Sequence, residues 1–584
     1  MHQFRVWAPL ARQVSVESGG VAYSMQGPDD RGWWQQLVQD AGPRTDYGYL
    51  LDNDPKCYPD PRSRWQPNGV HGRSRIYDQA AFEWSDPRFQ APPLASAIIY
   101  ELHIGTFTPE GTFDAAAGKL AYLAALGVTH VELMPVASFE GRHGWGYDGV
   151  ALFSVHEPYG GPDGLKRFVN AAHQAGLAVL LDVVYNHFGP SGNYTGKFGP
   201  YIVSSHQTPW GGAVNLEDAE SAEVRRFFLD NALMWLRDFH VDGLRIDAVH
   251  AFVDRSAIHF LEHLATEVDA LEATLARPLV LIAESDLNDP RIVTPREAGG
   301  FGIDAQWSDD FHHALFAVLY PNERQGYYAD FGTLEQLAKA LERTFVYDGI
   351  YSRYRHRIHG RPTYALPQHR FLGYIQTHDQ VGNRAMGDRI SHIAGMERAK
   401  IAAALYLLSP FVPMLFQGEE WASSSPFLYF ADHEDQELAC AVSEGRKKEF
   451  AAFGWNPASI PDPESQVTFE ASRLKWSEVN EPERAEMLSW YRALIHLRRT
   501  TACLNNGSAS NVRVAFDEQT MWLRMQRGTI AVFCNLGNRE RTFTVSQASR
   551  VVLASQGANQ VSDSKLVVPP DSVAVVYEPL SKNA

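Results

Sequence analysis

The chain has 584 residues, 45% of them hydrophobic and 21% charged, with a formal net charge of −17. That length is enough for two or three domains with an ample core. The negative charge would repel phosphate backbones and argues against a nucleic-acid partner, whereas an uncharged polymer is indifferent to it.

Residues 1–90 carry short alternating segments between turn residues, at 4–8, 13–17 and 33–38. Strands at that spacing predict a small β-sandwich. The Pro- and Gly-rich stretch 58–71 reads as an ordered linker. The N-terminus has no apolar signal core, and no run of eighteen apolar residues occurs. A cytoplasmic protein without a membrane span is therefore expected. Cys57, Cys440, Cys503 and Cys534 form no Cys-x-x-Cys pair and no zinc spacing, and read as small hydrophobes.

From 91 to 502 strand-like and helix-like segments alternate, which predicts a parallel sheet. Helical periodicity runs over 115–126, 164–176 and 222–239, and residues 189–217 read as a loop. The block 503–584 is strand-like again, at 512–516, 521–525, 530–534 and 573–577, and predicts an all-β domain.

Three strand-like runs end in carboxylates: 243–247 in Asp247, 279–284 in Glu284 and 373–379 in Asp379. Polar residues at the C-terminal ends of buried parallel strands sit where α/β barrels build active sites. Two neighbouring carboxyls, one ionised and one protonated, suffice for glycoside hydrolysis. Arg245 precedes Asp247 by two residues, so both share a strand face and the Arg would hold the Asp ionised. Glu284 has no cation beside it in sequence, which suits an acid of raised pKa. A fourth run, 179–187, contains Asp182, Asn186 and His187. Taken singly, each of these residues reads as well as a helix cap or a hydrogen-bonded turn.

In this order the four segments resemble the four signature regions of the α-amylase family of glycoside hydrolases. The segments 101–113, 143–149, 309–313, 416–421 and 443–450 resemble the maltooligosyltrehalose trehalohydrolases within it, which release trehalose from a trehalose-capped maltooligosaccharide. The first two of these are also similar to glycogen branching enzymes. The resemblance runs from Phe4 to about Val576.

It implies a (β/α)8 TIM barrel at 91–502, and guides a count of strands near 97, 129, 179, 243, 279, 303, 372 and 411. It also implies an immunoglobulin-like β-sandwich at 1–90 and a β-sandwich at 503–584. Asp247 is then the nucleophile, Glu284 the acid/base and Asp379 the third catalytic carboxylate. Tyr147, His187, Arg245, His378 and Asn383 would bind substrate, Tyr147 by stacking. His250, Asp309, Asp310, His312, His313 and Trp421 would face the leaving trehalose. The implied substrates are maltooligosyltrehalose and related α-glucans. No cofactor is implied. Asn186 matches a calcium position of many amylases, but the acid-free stretch 189–215 predicts no metal. Two alternatives stand beside this reading. One is a branching enzyme that passes the glycosyl unit to another glucan. The other is a non-catalytic carbohydrate-binding barrel, which would have lost one of the three carboxylates; all three are present.

Overall fold

Eight apolar runs form the parallel strands of a closed barrel: β1 (Ile99–Leu102), β2 (His130–Leu133), β3 (Ala178–Val183), β4 (Gly243–Ile246), β5 (Val280–Ala283), β6 (Ala305–Trp307), β7 (Phe371–Gly373) and β8 (Val412–Phe416). Each pairs with the next in sequence, and β8 closes on β1. The computed structural model describes residues 1–322, 324–363, 366–452, 456–505, 512–557 and 561–579.

Residues two apart on a strand share a face. Ile99, Leu180, Ile282, Trp307, Leu372 and Met414 pack together inside the barrel. The same parity turns Glu101, Glu132, Asp182 and Arg245 inward, and all four are buried. The interior thus passes from an apolar layer to a charged one near the strands' C-terminal ends.

Helices cover the outside. In α1 (Gly161–Gln174), Leu165, Phe168, Val169 and Ala172 are buried at helical spacing. In α2 (Ser221–Asp238), Val224, Phe227, Phe228 and Trp235 do the same, and this helix delivers the chain to β4. The helical stretch expected over 115–126 is broken into Phe113–Ala117 and Leu120–Leu126. Gly118 caps the first piece, in keeping with its poor helix propensity.

Strand-only regions lie at both ends of the chain. His2–Trp7 pairs with Trp33–Val38, and a four-stranded sheet is built on Val14–Ser18 and Asp46–Leu51. Phe4, Val6, Val14, Val16 and Tyr49 are buried within this region. At the other end a five-stranded and a three-stranded sheet bury Phe533, Phe543, Leu566 and Val576 in one cluster. Among the described residues no helix is long and apolar enough to cross a membrane.

The segment read as a loop at 189–217 is more ordered than expected. It holds a helical turn at Thr195–Phe198 and a hairpin of Ile202–Thr208 with Gly211–Val214. Most of the first hairpin strand is solvent-facing, so no apolar alternation announces it in the sequence.

Candidate active site

One guanidinium organises the centre of the site. Arg245 on β4 is fully buried, and its plane lies over the Trp307 ring at 4.4 Å. Its Nη1 donates to both oxygens of Asp182 (2.8 and 2.7 Å) and to Asp247 Oδ1 (2.8 Å). Its Nη2 lies 3.0 Å from Glu284 Oε2. The expectation that Glu284 lacks a neighbouring cation is therefore overturned. Sequence distance hid the contact, because the cation comes from the adjacent strand.

The β4–β5 register places Arg245 opposite Ile282 and Ile246 opposite Ala283. The next positions, Asp247 and Glu284, thus stand side by side at the ends of paired strands, which lie about 4.8 Å apart. A pair of carboxyls at about 5–5.5 Å is the spacing of retaining glycosidases. Ala248 adopts a left-handed conformation (φ +41°), and its N–H donates to Glu284 Oε2 at 2.7 Å. A non-glycine residue held there marks a strained turn aimed at the acid.

Burial raises the Asp247 carboxyl from its ordinary value, and Arg245 opposes that shift. Burial also raises Glu284; Arg245 and the Ala248 N–H pull it back, while the Asp247 charge adds to the rise.

Asp379 enters from the loop after β7, in the first turn of a short helix capped by the Thr377 hydroxyl. About a third of its side chain is open (35% exposed), more than any other of the three carboxylates. His378 beside it is buried between acids. Its Nδ1 lies 2.5 Å from Glu101 Oε1, and its Nε2 lies 2.8 Å from the Tyr147 hydroxyl. That hydroxyl donates to Asp182 Oδ2 at 2.5 Å, so it accepts from His378. Burial alone would lower His378, but Glu101 and Asp379 outweigh it and push the imidazole up to about 9. It is an imidazolium at neutral pH, and it stacks on Tyr147 at 5.2 Å. Arg245 and His378 thus offset part of the acidic layer around them.

Other expected residues fall near this centre. His187 is mostly buried and lies parallel to Trp210 at 5.1 Å. Burial holds its imidazole below the usual value. Asp309 opens α3 (Asp309–Leu319) and accepts from the Tyr374 hydroxyl at 2.6 Å. Burial, with the Glu284 and Asp379 charges nearby, raises it to about 7. His250 is exposed on the rim of a cleft of about 460 Å³ that Ser285, next to Glu284, also lines. Asn383 lines a second cleft of about 290 Å³, with Tyr327 and Phe450, and its amide donates to Asp379 Oδ1 at 3.2 Å.

Four expected trehalose contacts are placed elsewhere. Asp310 points away from the cleft: its Oδ2 accepts from Asn288 Nδ2 and from the backbone N–H groups of Val346 and Tyr347, at 2.7–2.9 Å. His312 is wholly buried, with Nε2 2.9 Å from the Tyr328 hydroxyl, and burial pushes it down to about 3. His313 is buried among Tyr327, Tyr328 and Phe331. Trp421 has no exposed surface and packs on Tyr122 and Trp476. Its neighbours Glu419 and Glu420 are likewise interior, held by the hydroxyls of Tyr406 and Tyr491 and of Tyr100 and Tyr122. A sugar needs an open aromatic face, and Trp421 has none.

Trp421→Ala should therefore lower stability by about 3–5 kcal/mol, and Asp310→Ala should leave buried N–H groups unpaired at about 1–3 kcal/mol each. Neither should change the preference between two glucan substrates. Denaturant midpoints together with kcat/KM ratios check this; an altered ratio at unchanged stability would return these residues to the site.

Two residues of the site, Glu101 and Trp210, are not singled out by the sequence, and Asp182 carries no assigned role there. Glu101 and Asp182 are strand-end acids in segments already notable, and inward parity is the signal that finds them. Trp210, at 45% exposure beside His187, sits in the turn of the unforeseen hairpin, and its exposure is visible only in the fold.

Asn186 is buried, and neither atom of its side-chain amide has a hydrogen-bond partner among the described residues. Glu217 accepts from Arg255 and Asp218 from Ser205. Among the described residues no group of three or more His, Cys, Asp or Glu side chains is arranged to hold a metal.

The barrel with this strand-end chemistry defines a glycoside hydrolase of the α-amylase class, and the family model for the alpha-amylase catalytic domain matches residues 73–201. Across 583 residues the chain is 48% identical to a malto-oligosyltrehalose trehalohydrolase of Rhizobium sp. (strain M-11), covering 99% of this chain and 98% of that one. It is 50% identical over 551 residues to the protein of that name from Mycobacterium tuberculosis (strain CDC 1551 / Oshkosh), covering 94% of each. The chain belongs to the malto-oligosyltrehalose trehalohydrolase family. It also superposes on the crystal structure of a Salmonella typhimurium protein provisionally described as an alpha amylase, with a TM-score of 0.90, 38% identity, and coverage of 99% of this chain and 97% of that one.

Proposed function

We propose that the protein hydrolyses the α-1,4 bond next to the terminal trehalose of maltooligosyltrehalose and releases free trehalose, with retention at the anomeric carbon. The observation that carries the chemistry is the pairing of Asp247 and Glu284 on one guanidinium at the ends of adjacent strands. The names borne by full-length relatives support the trehalose end of the substrate. Asp247 attacks the anomeric carbon while Glu284 gives its proton to the departing oxygen, and the glycosidic C–O bond breaks. Water then attacks the glycosyl ester, gives a proton to Glu284, and frees the sugar and the Asp247 carboxylate. Asp379, beside the buried His378, grips ring hydroxyls, and Tyr147 and Trp210 offer faces for sugar rings.

Residues 91–502 form the catalytic unit in this reading, and 1–90 and 503–584 flank it. A cytoplasmic location accords with the four unpaired cysteines.

The test is product analysis by chromatography after incubation with maltopentaose and with its trehalose-ended counterpart. Free trehalose from the second, made faster than plain maltopentaose is cut, is expected. A site that hydrogen-bonds the α,α-1,1-linked pair leaves polar groups unpaired when an ordinary reducing end occupies it. New α-1,6 branches on amylose, or equal rates on the two substrates, would instead favour the branching-enzyme reading or a plain amylase.

A further inference from the structure

The segment 443–450 lies in α4 (Gln436–Ala452), a helix whose side chains are mostly exposed. Ser443 and Phe450 are buried, and only 11% of the Arg446 side chain is open. Its guanidinium sits between the rings of Tyr429 (4.9 Å) and Phe450 (4.5 Å). Nη2 donates to the Gly382 carbonyl at 2.6 Å, and Nη1 and Nη2 both donate to Asn383 Oδ1 at 3.2 Å. Nη1 also meets Glu449 Oε2 at 3.0 Å. On its other side the Asn383 amide donates from Nδ2 to Asp379 Oδ1 at 3.2 Å.

An arginine only donates and an ionised carboxylate only accepts. The Asn383 amide between them can satisfy both in one orientation alone, with oxygen toward Arg446 and nitrogen toward Asp379. We propose that Arg446 is a positioning residue: by fixing the orientation of Asn383 it sets the Asp379 carboxylate for the reacting sugar, so that docking of α4 completes the site. Without Arg446 the amide is free to turn its oxygen toward Asp379, where two acceptors repel. The backbone of this loop has little freedom to compensate. A Cβ on Gly382 would come within 2.1 Å of the Trp145 ring, so the loop already lies flat on that side chain and Arg446 closes it from above.

The inference rests on the catalytic assignment of Asp379 and not on the trehalose specificity. It is therefore tested with whichever α-glucan the wild-type protein hydrolyses faster. Arg446→Met keeps the stem and the packing between the two rings but removes the donors. It should lower kcat about tenfold with KM changed less than about twofold, since the lost hydrogen bond to a charged partner acts mainly in the transition state. In an Asn383→Ala background the same substitution should have no further effect on kcat, which a merely structural clasp would not produce. Arg446→Lys, which cannot hold Gly382 and Asn383 together in a planar fork, should behave like Arg446→Met and serves for the same cycle if the Met variant does not fold. Equal losses in the two backgrounds, or a wild-type kcat in Arg446→Met, would overturn the proposal.

Discussion

Asp247→Asn should abolish turnover, by on the order of 10⁴-fold or more, and leave the fold intact. The amide is nearly isosteric, and its Oδ1 can still accept from Arg245 Nη1, which also keeps both hydrogen bonds to Asp182. No cavity is made and no buried cation is left unpaired, so thermal unfolding should change little. What is lost is the covalent route. A neutral amide oxygen is a poor nucleophile toward an anomeric carbon, and it cannot form the ester that water later hydrolyses. Initial rates on the trehalose-ended substrate, with melting curves on the same samples, decide the matter. A residual rate above about a tenth of wild type would sink the assignment, because positioning alone does not supply a rate of that size.

The barrel was legible because its strands are buried on both faces, read as short apolar runs and, except that only 3-10 turns join β5 to β6, alternate with helices. Val280–Ala283 and Val412–Phe416 are of this kind. The strand-end carboxylates were legible for a related reason: a charge that interrupts such a run must lie at its open end. The sequence does not carry what depends on neighbouring strands. Glu284 has no cation within its own segment, yet Arg245 reaches it across the β4–β5 register. The aromatic and histidine-rich motifs misled for a different reason. His312, His313 and Trp421 have the chemistry of sugar contacts, but they lie on the covered faces of their elements. Composition cannot tell an inward-facing tryptophan from one that faces a cleft. Trp210 shows the converse, since its hairpin is largely solvent-facing and leaves no periodic trace.

Glu284→Gln should reduce hydrolysis of the natural α-glucan by orders of magnitude but act unequally across substrates. The carboxyl is raised by burial and by the Asp247 charge, against Arg245 and the Ala248 N–H, so it holds its proton better than a free glutamic acid does. That suits the first step, in which a sugar hydroxylate is a poor leaving group and needs a proton. When Asp247 becomes an ester its charge disappears, and with it one of the influences that raise Glu284. The same carboxyl then becomes the stronger acid it must be to stay ionised and take a proton from water. In the pH profile of kcat/KM this places the alkaline limb on Glu284 above the usual glutamate range: activity falls as pH rises and the acid ionises. Glutamine can neither give nor take the proton, so the limb should vanish in the variant. An aryl maltooligoside, whose leaving group needs little protonation, should still form the glycosyl-enzyme with Glu284→Gln. Added azide, which needs no general base, should then speed turnover and yield a glycosyl azide of retained configuration. Equal losses on good and poor leaving groups, with no azide product, would show that Glu284 is not the acid.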